Sequence, residues 1–406
     1  MNHSRICRLV SILTLLVASS ALPLNAQEPV DARRMFDGTM RPDVAVKTFE
    51  NSHKLFPVRT VERAGEIRTL PDAKSQLQNI RLETAGKSYD LFDYLALNRV
   101  SGLLILKNGE VAYEDYEYGT SPETLWPSFS MGKSVSSTLV GAALLDGAIS
   151  SLDDPVTKYL PQMKNGAYDG VSVRNIIQMA SGVKWDETYT DPKSDRRRLL
   201  DIQLQLKPGS ILPYMSALPR AGAPGTIWNS NTGETFVVGA VLEAATHKPL
   251  ATYLSEKIWS RWGMEHDATW WLESPNGMGL AGGGLAATLR DFGRIGLLVL
   301  NDGVVDGKRL VPKGWFDEAG SAKEIGGKLV DYGYLWWALP KDDPIHAGAF
   351  QAIGIFGQHM YINRGENLVV VVLSARPKPT GSTVIDDPAF FAAVAKALKY
   401  SATTHQ

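Results

Sequence analysis

Residues 128–147 read SFSMGKSVSSTLVGAALLDG, and this stretch decides both the fold and the candidate chemistry. Small and apolar residues recur at helical density from Val135 to Leu145, and the run ends at Asp146-Gly147, so the pattern predicts a buried helix. Ser130 stands just before this helix and Lys133 lies one turn along it. Because residues three apart share a helical face, the hydroxyl and the amine can meet.

The position of Ser130 is typical of a nucleophile. Free N–H groups and the positive dipole end at a helix N-terminus can stabilise an oxyanion. Lysine acts as a base only when neutral, and burial lowers its pKa from about 10.4 by up to about 3–5 units. The uncharged neighbours of Lys133 permit such burial. The alternative is that Ser130 only caps the helix, as serine often does.

Ser-x-x-Lys occurs a second time, from Ser181 to Lys184. This second motif is followed by a polar turn, Trp185-Asp186-Glu187, which would leave Lys184 in solvent. Ser130 is therefore the predicted nucleophile. His266 is interpreted as structural, since the seven histidines are scattered and form neither a metal cluster nor a serine–histidine–aspartate spacing.

Composition excludes several classes of protein. The chain has 406 residues, which indicates one large domain or two. With 42 basic and 43 acidic residues, the net charge of -1 gives no field that would hold nucleic acid or an anionic membrane. The single cysteine, Cys7, excludes a disulfide framework and a cysteine-based zinc site.

The first 26 residues have the pattern of a secretory signal peptide. Arg5 and Arg8 precede an apolar run from Leu9 to Leu22, and small residues near Ala26 provide a cleavage site. The run is shorter than the roughly 20 residues that span a bilayer, so a retained membrane anchor is the weaker interpretation. We expect a secreted, periplasmic protein, because cleavage would remove Cys7 and leave a cysteine-free chain suited to an oxidising compartment.

Strand patterns occur near both ends of the remaining chain. Asn108-Gly109 is a hairpin signal between two apolar segments. Near the C-terminus, strands are predicted over Tyr332–Ala338, Gly354–Asn363 and Leu368–Ser374. Because the intervening segments are mainly helical, the pattern favours one sheet built from both ends, with an inserted helical lobe and a cleft between the two parts.

Several further motifs, in order along the chain, resemble those of the serine β-lactamase and penicillin-binding-protein superfamily. The nearest resemblance is to the 6-aminohexanoate-dimer hydrolases and to esterases with a β-lactamase fold, and it extends from about Tyr89 to Ser374. This resemblance implies an α/β (α+β) fold with an antiparallel sheet flanked by helices. The motifs are SMGKS at 130–134, DGAISSLDDP at 146–155, MASG at 179–182, PGTIW at 224–228, GET at 233–235, AGGGL at 281–285 and GIFGQ at 354–358.

The second motif departs from this family. Relatives that are similar to class C β-lactamases have an aromatic residue after Pro-Gly and a catalytic tyrosine two positions later. Here the aromatic residue is Trp228, and Ser230 takes the tyrosine position if the spacing to Gly239 is kept without a gap. A serine hydroxyl there could pass a proton between Lys133 and the leaving group. The alternative is that Ser230 or Asn231 only caps the following helix.

The third motif is altered as well. The Lys-Thr-Gly of β-lactamases, which helps to bind a substrate carboxylate, aligns with Ala352-Ile353-Gly354. Without that lysine, β-lactam hydrolysis and peptidoglycan carboxypeptidase activity are less favoured. The resemblance still implies that the N–H of Ile355 lies opposite the N–H of Ser130 in an oxyanion hole.

Some residues have both a functional and a structural interpretation. Tyr189 matches a loop tyrosine that contacts the scissile amide in 6-aminohexanoate-dimer hydrolases, or else is a half-buried loop residue. Arg196-Arg197-Arg198 is most simply a solvated helix face, with attraction of a substrate carboxylate as the alternative. The pairs Trp270-Trp271 and Trp336-Trp337 are interpreted as core rather than pocket.

These observations predict a secreted serine hydrolase that cleaves a linear amide or carboxylic ester, with Ser130, Lys133 and Ser230 as catalytic residues and Tyr189 and Ile355 contacting substrate. The alternatives are a β-lactamase or D-alanyl-D-alanine carboxypeptidase, and a non-catalytic ligand-binding relative. We expect no metal, cofactor, nucleic acid or stable membrane anchor, and oligomeric state stays open. The predicted organisation is a signal peptide at 1–26, a polar, extended lead-in at 27–85, and a hydrolase domain at 86–400 with its helical lobe at about 150–290.

Overall fold

A computed structural model describes residues 32–339 and 343–403. The predicted signal peptide, with its cleavage position near Ala26, lies outside the described residues. Within them, the α-helices are α1 Ala32–Asp37, α2 Pro42–Glu50, α3 Leu91–Leu97, α4 Met131–Leu145, α5 Val156–Tyr159, α6 Val173–Ile177, α7 Asp195–Gln203, α8 Ile211–Ser216, α9 Thr232–Thr246, α10 Leu250–Leu254, α11 Leu289–Leu300, α12 Trp315–Ala319 and α13 Asp387–Thr403. A π-helical turn, Ser255–Trp259, continues α10, and 3-10 turns cover Ser52–Lys54, Pro161–Met163 and Pro344–His346.

The strands are short except in the main sheet. They are β1 Val58–Val61, β2 Arg81–Thr84, β3 Lys87–Asp90, β4 Val100–Lys107, β5 Glu110–Tyr116, β6 Trp126–Pro127, β7 Ala268–Trp271, β8 Leu285–Ala287, β9 Val304–Val305, β10 Lys308–Arg309, β11 Lys323–Ile325, β12 Lys328–Val330, β13 Trp337–Ala338, β14 Phe350–Gly354, β15 Gln358–Asn363 and β16 Leu368–Ser374.

The main sheet is antiparallel and joins the two ends of the chain, which confirms the predicted fold class. Its six strands run in the order β13-β14-β15-β16-β4-β5. Val370 of β16 lies opposite Ile105 of β4, so the strands bring together residues separated by most of the sequence. Asn108 and Gly109 have φ values of 56° and 83°, the left-handed geometry that a two-residue hairpin with this sequence adopts.

Helices cover both faces of this sheet, which is why its central strands are apolar on both sides. Alternate residues of β4 and β16 point in opposite directions. Leu104 and Val369 pack on the face that holds α11, whereas Ile105 and Val370 pack on the face that holds α3 and α13. The first face also holds α4, so Ser130 starts a helix fixed between the sheet and the helical lobe.

The segment expected to be an extended lead-in is instead folded into the core. Its apolar residues Met35, Phe36 and Phe49 are almost completely buried. Strand β1 adds a fourth strand to a second sheet of order β1-β7-β8-β6, with Val58 opposite Trp271. These elements are short and acquire their hydrophobic partners only from distant parts of the chain, so their local sequence pattern is weak.

The remaining differences lie in loops and at strand ends. The lobe predicted at about 150–290 contains α5 to α10, but β7 and β8 complete its last part as a sheet. Most of Tyr332–Ala338 is irregular rather than strand, and only Trp337–Ala338 pairs with β14. The strand predicted at Gly354–Asn363 is the second half of a hairpin whose first strand is β14. Among the described residues, no helix is both long and apolar enough to cross a membrane.

Candidate active site

Ser130 occupies the N-cap position of α4, but its hydroxyl makes no capping hydrogen bond. The side chain is half-buried and lines a cleft of about 610 Å³. Phe129, directly before it, has φ of 44°, a left-handed conformation that is rare for a bulky residue. Such strain concentrates at functional sites, where the surrounding structure holds it in place. The structure therefore does not support a purely capping role for Ser130.

Two glycine motifs allow other backbone segments to approach this strained turn. A Cβ atom on Gly283 would lie 3.0 Å from the carbonyl carbon and oxygen of Phe129. A Cβ atom on Gly354 would lie 2.5 Å from the carbonyl oxygen of Ser128, closer than van der Waals contact allows. The sequences around 281–285 and 354–358 thus allow the loop and the strand to lie next to the turn that carries Ser130.

Lys133 is buried, with 6% of its surface exposed, and lines the same cleft as Ser130. Its Nζ donates a hydrogen bond of 3.0 Å to Thr232 Oγ1. Burial lowers the pKa of Lys133 below its usual range; Glu187 and Glu234 oppose this shift, while Arg196 adds to it. A lowered pKa favours the neutral amine that a general base requires.

Glu187 is a functional candidate that the sequence did not reveal. Its carboxylate accepts hydrogen bonds from the indole N–H of Trp185, the hydroxyl of Tyr189 at 2.8 Å, the N–H of Thr232 at 3.0 Å and the Thr232 hydroxyl. These four donors occupy both oxygens of the carboxylate. Thr232 was missed as well, since 99 residues separate it from Lys133 and no short motif joins them.

Ser230 also lines the cleft beside Ser130 and Lys133. The neighbouring Asn231, rather than Ser230, caps α9, because its Oδ1 accepts the N–H of Glu234 at 2.9 Å. Within the described part of the chain, the hydrogen-bond partner of Lys133 Nζ is Thr232 and not Ser230. Ser230 therefore lines the same cleft as Ser130 and Lys133 but is not hydrogen-bonded to the lysine.

In the second Ser-x-x-Lys the serine has a structural role, and the lysine is in solvent as predicted. Ser181 Oγ donates a hydrogen bond of 2.6 Å to Glu234 Oε2, and Lys184 is exposed to solvent. Burial raises the pKa of Glu234 to about 8, although hydrogen bonds from Ser181 and the charge of Lys133 act in the opposite direction. Ser181 thus joins the loop after α6 to α9, the helix that carries Thr232.

This raised pKa predicts a pH-dependent stability. Between its ordinary pKa of 4.5 and about 8, Glu234 stays protonated in the folded protein but ionises in the unfolded chain, so stability falls as pH rises. The loss is on the order of 3 kcal/mol across this window. Glu234→Gln cannot ionise and should show a smaller loss between pH 5 and pH 8 in urea unfolding. Equal losses in the two proteins would contradict the assignment.

Tyr189 reaches the cleft from a loop, and its ring stacks on Phe36 with centroids 5.9 Å apart. Its hydroxyl is held by Glu187, and burial followed by the charge of Glu187 raises the pKa of Tyr189 well above its usual range. The phenol is therefore protonated at neutral pH. Phe36 belongs to α1, so the N-terminal segment helps to fix this loop.

The arginine run at 196–198 is not a solvated face as a whole. Arg196 and Arg197 are each only 6% exposed, whereas Arg198 is exposed. Arg197 forms an ion pair of 2.7 Å with Asp37 and donates to the carbonyl of Tyr189 at 3.1 Å. The interpretation was wrong because α7 packs against the N-terminal α1, which the sequence pattern did not reveal.

Ile355 lines both the cleft and a second, adjacent cavity of about 30 Å³ that Ser130 also borders. No backbone hydrogen bond of the described residues, outside the regular helices and strands, uses the N–H of Ser130 or of Ile355. Trp270, Trp271 and Trp336 are buried, in agreement with the core interpretation, whereas half-buried Trp337 faces the cleft.

His266 lies outside this cleft, and its ring is 4.0 Å from the carboxylate of Asp291, in agreement with a structural role. Among the described residues, no group of histidine, cysteine and acidic side chains could hold a metal ion.

Comparison with known proteins identifies the family. The Beta-lactamase family model matches residues 98–395, which is more than half of the chain. The chain belongs to the Beta-lactamase family. Within it, the sequence is 29% identical over 319 residues to the 6-aminohexanoate-dimer hydrolase of Paenarthrobacter ureafaciens, covering 74% of this chain and 79% of that protein. It is 24% identical to esterase EstB of Burkholderia gladioli, covering 67% of this chain and 84% of that protein.

Two solved structures share the fold. A protein of Bacillus anthracis, provisionally described as a 6-aminohexanoate-dimer hydrolase, has a TM-score of 0.78 at 21% identity, covering 91% of this chain and 99% of that one. A family VIII carboxylesterase has a TM-score of 0.57 at 15% identity, covering 76% of this chain and 96% of that one. The protein is thus a serine hydrolase of a family that includes amidases and esterases.

Proposed function

We propose that the protein cleaves a linear amide or carboxylic ester through an acyl-enzyme on Ser130, with Lys133 as general base. The observation that carries this proposal is the burial of Lys133 beside a serine whose hydroxyl is not used for capping, both lining one cleft. Burial favours the neutral amine, which can take the proton of Ser130 as its oxygen attacks the carbonyl carbon.

The attack converts the carbonyl oxygen to an oxyanion. The N–H groups of Ser130 and Ile355 would stabilise this charge, and neither is used in a turn or loop hydrogen bond of the described backbone. Collapse of the intermediate requires a proton on the leaving group. Ser230 and Tyr189 both line the cleft, and their hydroxyls are the candidates to deliver it. Water, activated by Lys133, then releases the acid.

Two observations favour a linear substrate over a β-lactam or peptidoglycan. The relative with 29% identity is named for hydrolysis of 6-aminohexanoate dimer, and a second relative is named an esterase. Ala352 stands where the Lys-Thr-Gly motif has its lysine. The next two residues, Ile353 and Gly354, line the cleft in place of the threonine and glycine. The proposal includes secretion to the periplasm, supported by the signal-peptide pattern at 1–26.

Labelling with a fluorophosphonate tests the nucleophile. We expect intact-protein mass spectrometry to detect one adduct that maps to Ser130 and is absent in Ser130→Ala. The control is Ser181→Ala, the serine of the second Ser-x-x-Lys, which should keep the adduct. Folded wild-type protein that forms no adduct would overturn the acyl-enzyme proposal in favour of a non-catalytic binding protein. Substrate screening with short esters, linear amides and a β-lactam would then separate the hydrolase alternatives.

A further inference from the structure

We propose that the proton released by Ser130 reaches the leaving group through Lys133, Thr232, Glu187 and Tyr189. This inference rests on the proposed acyl-enzyme function and adds its proton path. It gives a role to the buried carboxylate of Glu187. It also provides an alternative proton donor to Ser230, which stands where the family has a catalytic tyrosine.

The path is a continuous chain of hydrogen bonds. Lys133 Nζ donates to Thr232 Oγ1 at 3.0 Å, and the Thr232 hydroxyl in turn donates to Glu187 Oε1. The hydroxyl of Tyr189 donates to the same oxygen, Glu187 Oε1, at 2.8 Å. One carboxylate oxygen therefore joins a hydroxyl that contacts the base to a phenol that lines the cleft.

The second oxygen of Glu187 anchors the arrangement. Glu187 Oε2 accepts the backbone N–H of Thr232 at 3.0 Å and the indole N–H of Trp185. These bonds hold the carboxylate at the start of α9, so its other oxygen keeps a fixed position between the two hydroxyls. The guanidinium of Arg196 lies 5.9 Å from the ring centroid of Tyr189 and 4.5 Å from that of Phe36. This buried group interacts electrostatically with the carboxylate of Glu187.

The proton steps balance. As the Ser130 oxygen bonds to the carbonyl carbon, its proton moves to neutral Lys133. The ammonium then gives a proton to Thr232, whose own hydroxyl proton moves to Glu187. When the bond to the leaving group breaks, Tyr189 protonates the departing atom and recovers a proton from Glu187. One proton has moved from Ser130 to the leaving group, and the four relay residues return to their starting states.

The relay predicts an effect that depends on the leaving group. A nitrophenolate departs without protonation, whereas an alkoxide or an amine requires a proton. We would measure kcat/KM for nitrophenyl, phenyl and ethyl esters and an alkyl amide of one acyl group. Thr232→Val and Tyr189→Phe should lower kcat/KM about 100-fold or more for the ethyl ester and the amide, but less than about 5-fold for the nitrophenyl ester.

Conservative and matched variants distinguish proton transfer by Thr232 and Glu187 from a purely structural role of these residues. Thr232→Ser keeps the hydroxyl and should restore most of the lost activity. Glu187→Gln should behave like Thr232→Val. Glu273→Gln is the control for a buried carboxylate, since Glu273 accepts the N–H groups of Gly209 and Ile211 outside the cleft.

Labelling of Ser130 by the fluorophosphonate distinguishes failure of the relay from failure of the proposed function. Its fluoride leaves without protonation, so the relay variants should still label. If the relay variants lost kcat/KM equally on all esters, the relay would be overturned while the acyl-enzyme stands. The same would follow if Ser230→Ala, but not Glu187→Gln, lost kcat/KM only for the poor leaving groups. Absence of labelling in wild-type protein would overturn both proposals.

Discussion

Replacing Lys133 by methionine should lower kcat/KM for esters and amides by about 10³-fold, the range typical for loss of a general base. Methionine fills a similar volume but accepts no proton, so Ser130 loses its activation while the cleft keeps its shape. For the wild-type protein, kcat/KM should rise with pH as Lys133 loses its proton, at a pH below the usual lysine pKa because burial favours the neutral amine. The residual activity of Lys133→Met should lack that rise.

The same substitution should stabilise the fold by about 1–2 kcal/mol, a typical gain when a functional polar residue in a core is replaced. Burial lowers the pKa of Lys133, so the folded state disfavours a charge that the unfolded chain carries freely. The resulting destabilisation is largest below the folded-state pKa and disappears as pH approaches the ordinary value of 10.5. The gain measured by urea unfolding should therefore shrink at alkaline pH.

Lys184→Met provides the matched control, since Lys184 occupies the same place in the second Ser-x-x-Lys but is exposed. It should keep wild-type activity and change stability by less than about 0.5 kcal/mol. If Lys133→Met retained ester hydrolysis, the proton of Ser130 would have to leave by another route, and Lys133 would not be the base.

The parts of the fold that could be predicted are those with strong local signals. Asn108-Gly109 requires left-handed φ values that few other pairs adopt, and the strand Leu368–Ser374 is a continuous apolar run, so both were located correctly. The turn before β15 has Phe356 at φ of 62° and Gly357 at φ of 88°, and it was missed because Gly354 and Gly357 were interpreted as part of one strand that runs to Asn363. The ring of Phe356 packs on Phe49 and Phe129, with centroids 5.1 and 5.2 Å away, and no local sequence pattern shows these tertiary contacts.

The candidate site also contains residues with a local sequence signal and residues without one. Ser130 and Lys133 are one helical turn apart and could be recognised as a pair. Thr232 and Glu187 meet Lys133 only through folding, and polar residues at such separations have no periodic pattern. The burial of Arg196 was equally hidden, because it depends on Phe36 from a segment interpreted as an extended lead-in.

Replacing Asp387 by alanine should have the largest effect on stability, a loss of about 3–5 kcal/mol. Both carboxylate oxygens accept bonds from Arg376, at 2.6 and 3.0 Å, and Tyr94 donates to one of them at 2.7 Å. His359 Nε2 lies 3.2 Å from the other oxygen, and Asp387 and Arg376 are both buried. Removing the acid would leave a buried guanidinium without its counter-charge, which is costly in a low-dielectric interior.

The pH dependence provides an independent check on this assignment. Burial alone would raise the pKa of Asp387, but the charges and hydrogen bonds of His359 and Arg376 outweigh it and hold that pKa well below its usual range. The ionised acid therefore contributes its full stability above the ordinary aspartate pKa, about 3.9, and loses it as pH falls further. The difference between wild type and Asp387→Ala in urea unfolding should shrink below about pH 4.

An exposed ion pair provides the comparison for this buried one. Asp153 holds Arg174 through two hydrogen bonds of 2.7 and 3.1 Å, but its side chain is 69% exposed. Because water screens such a pair, Asp153→Ala should cost less than about 1 kcal/mol. Similar losses in the two variants would mean that solvent reaches Asp387. In that case the segment from Arg376 to Asp387, which forms one wall of the cleft, would not be held by a buried charge.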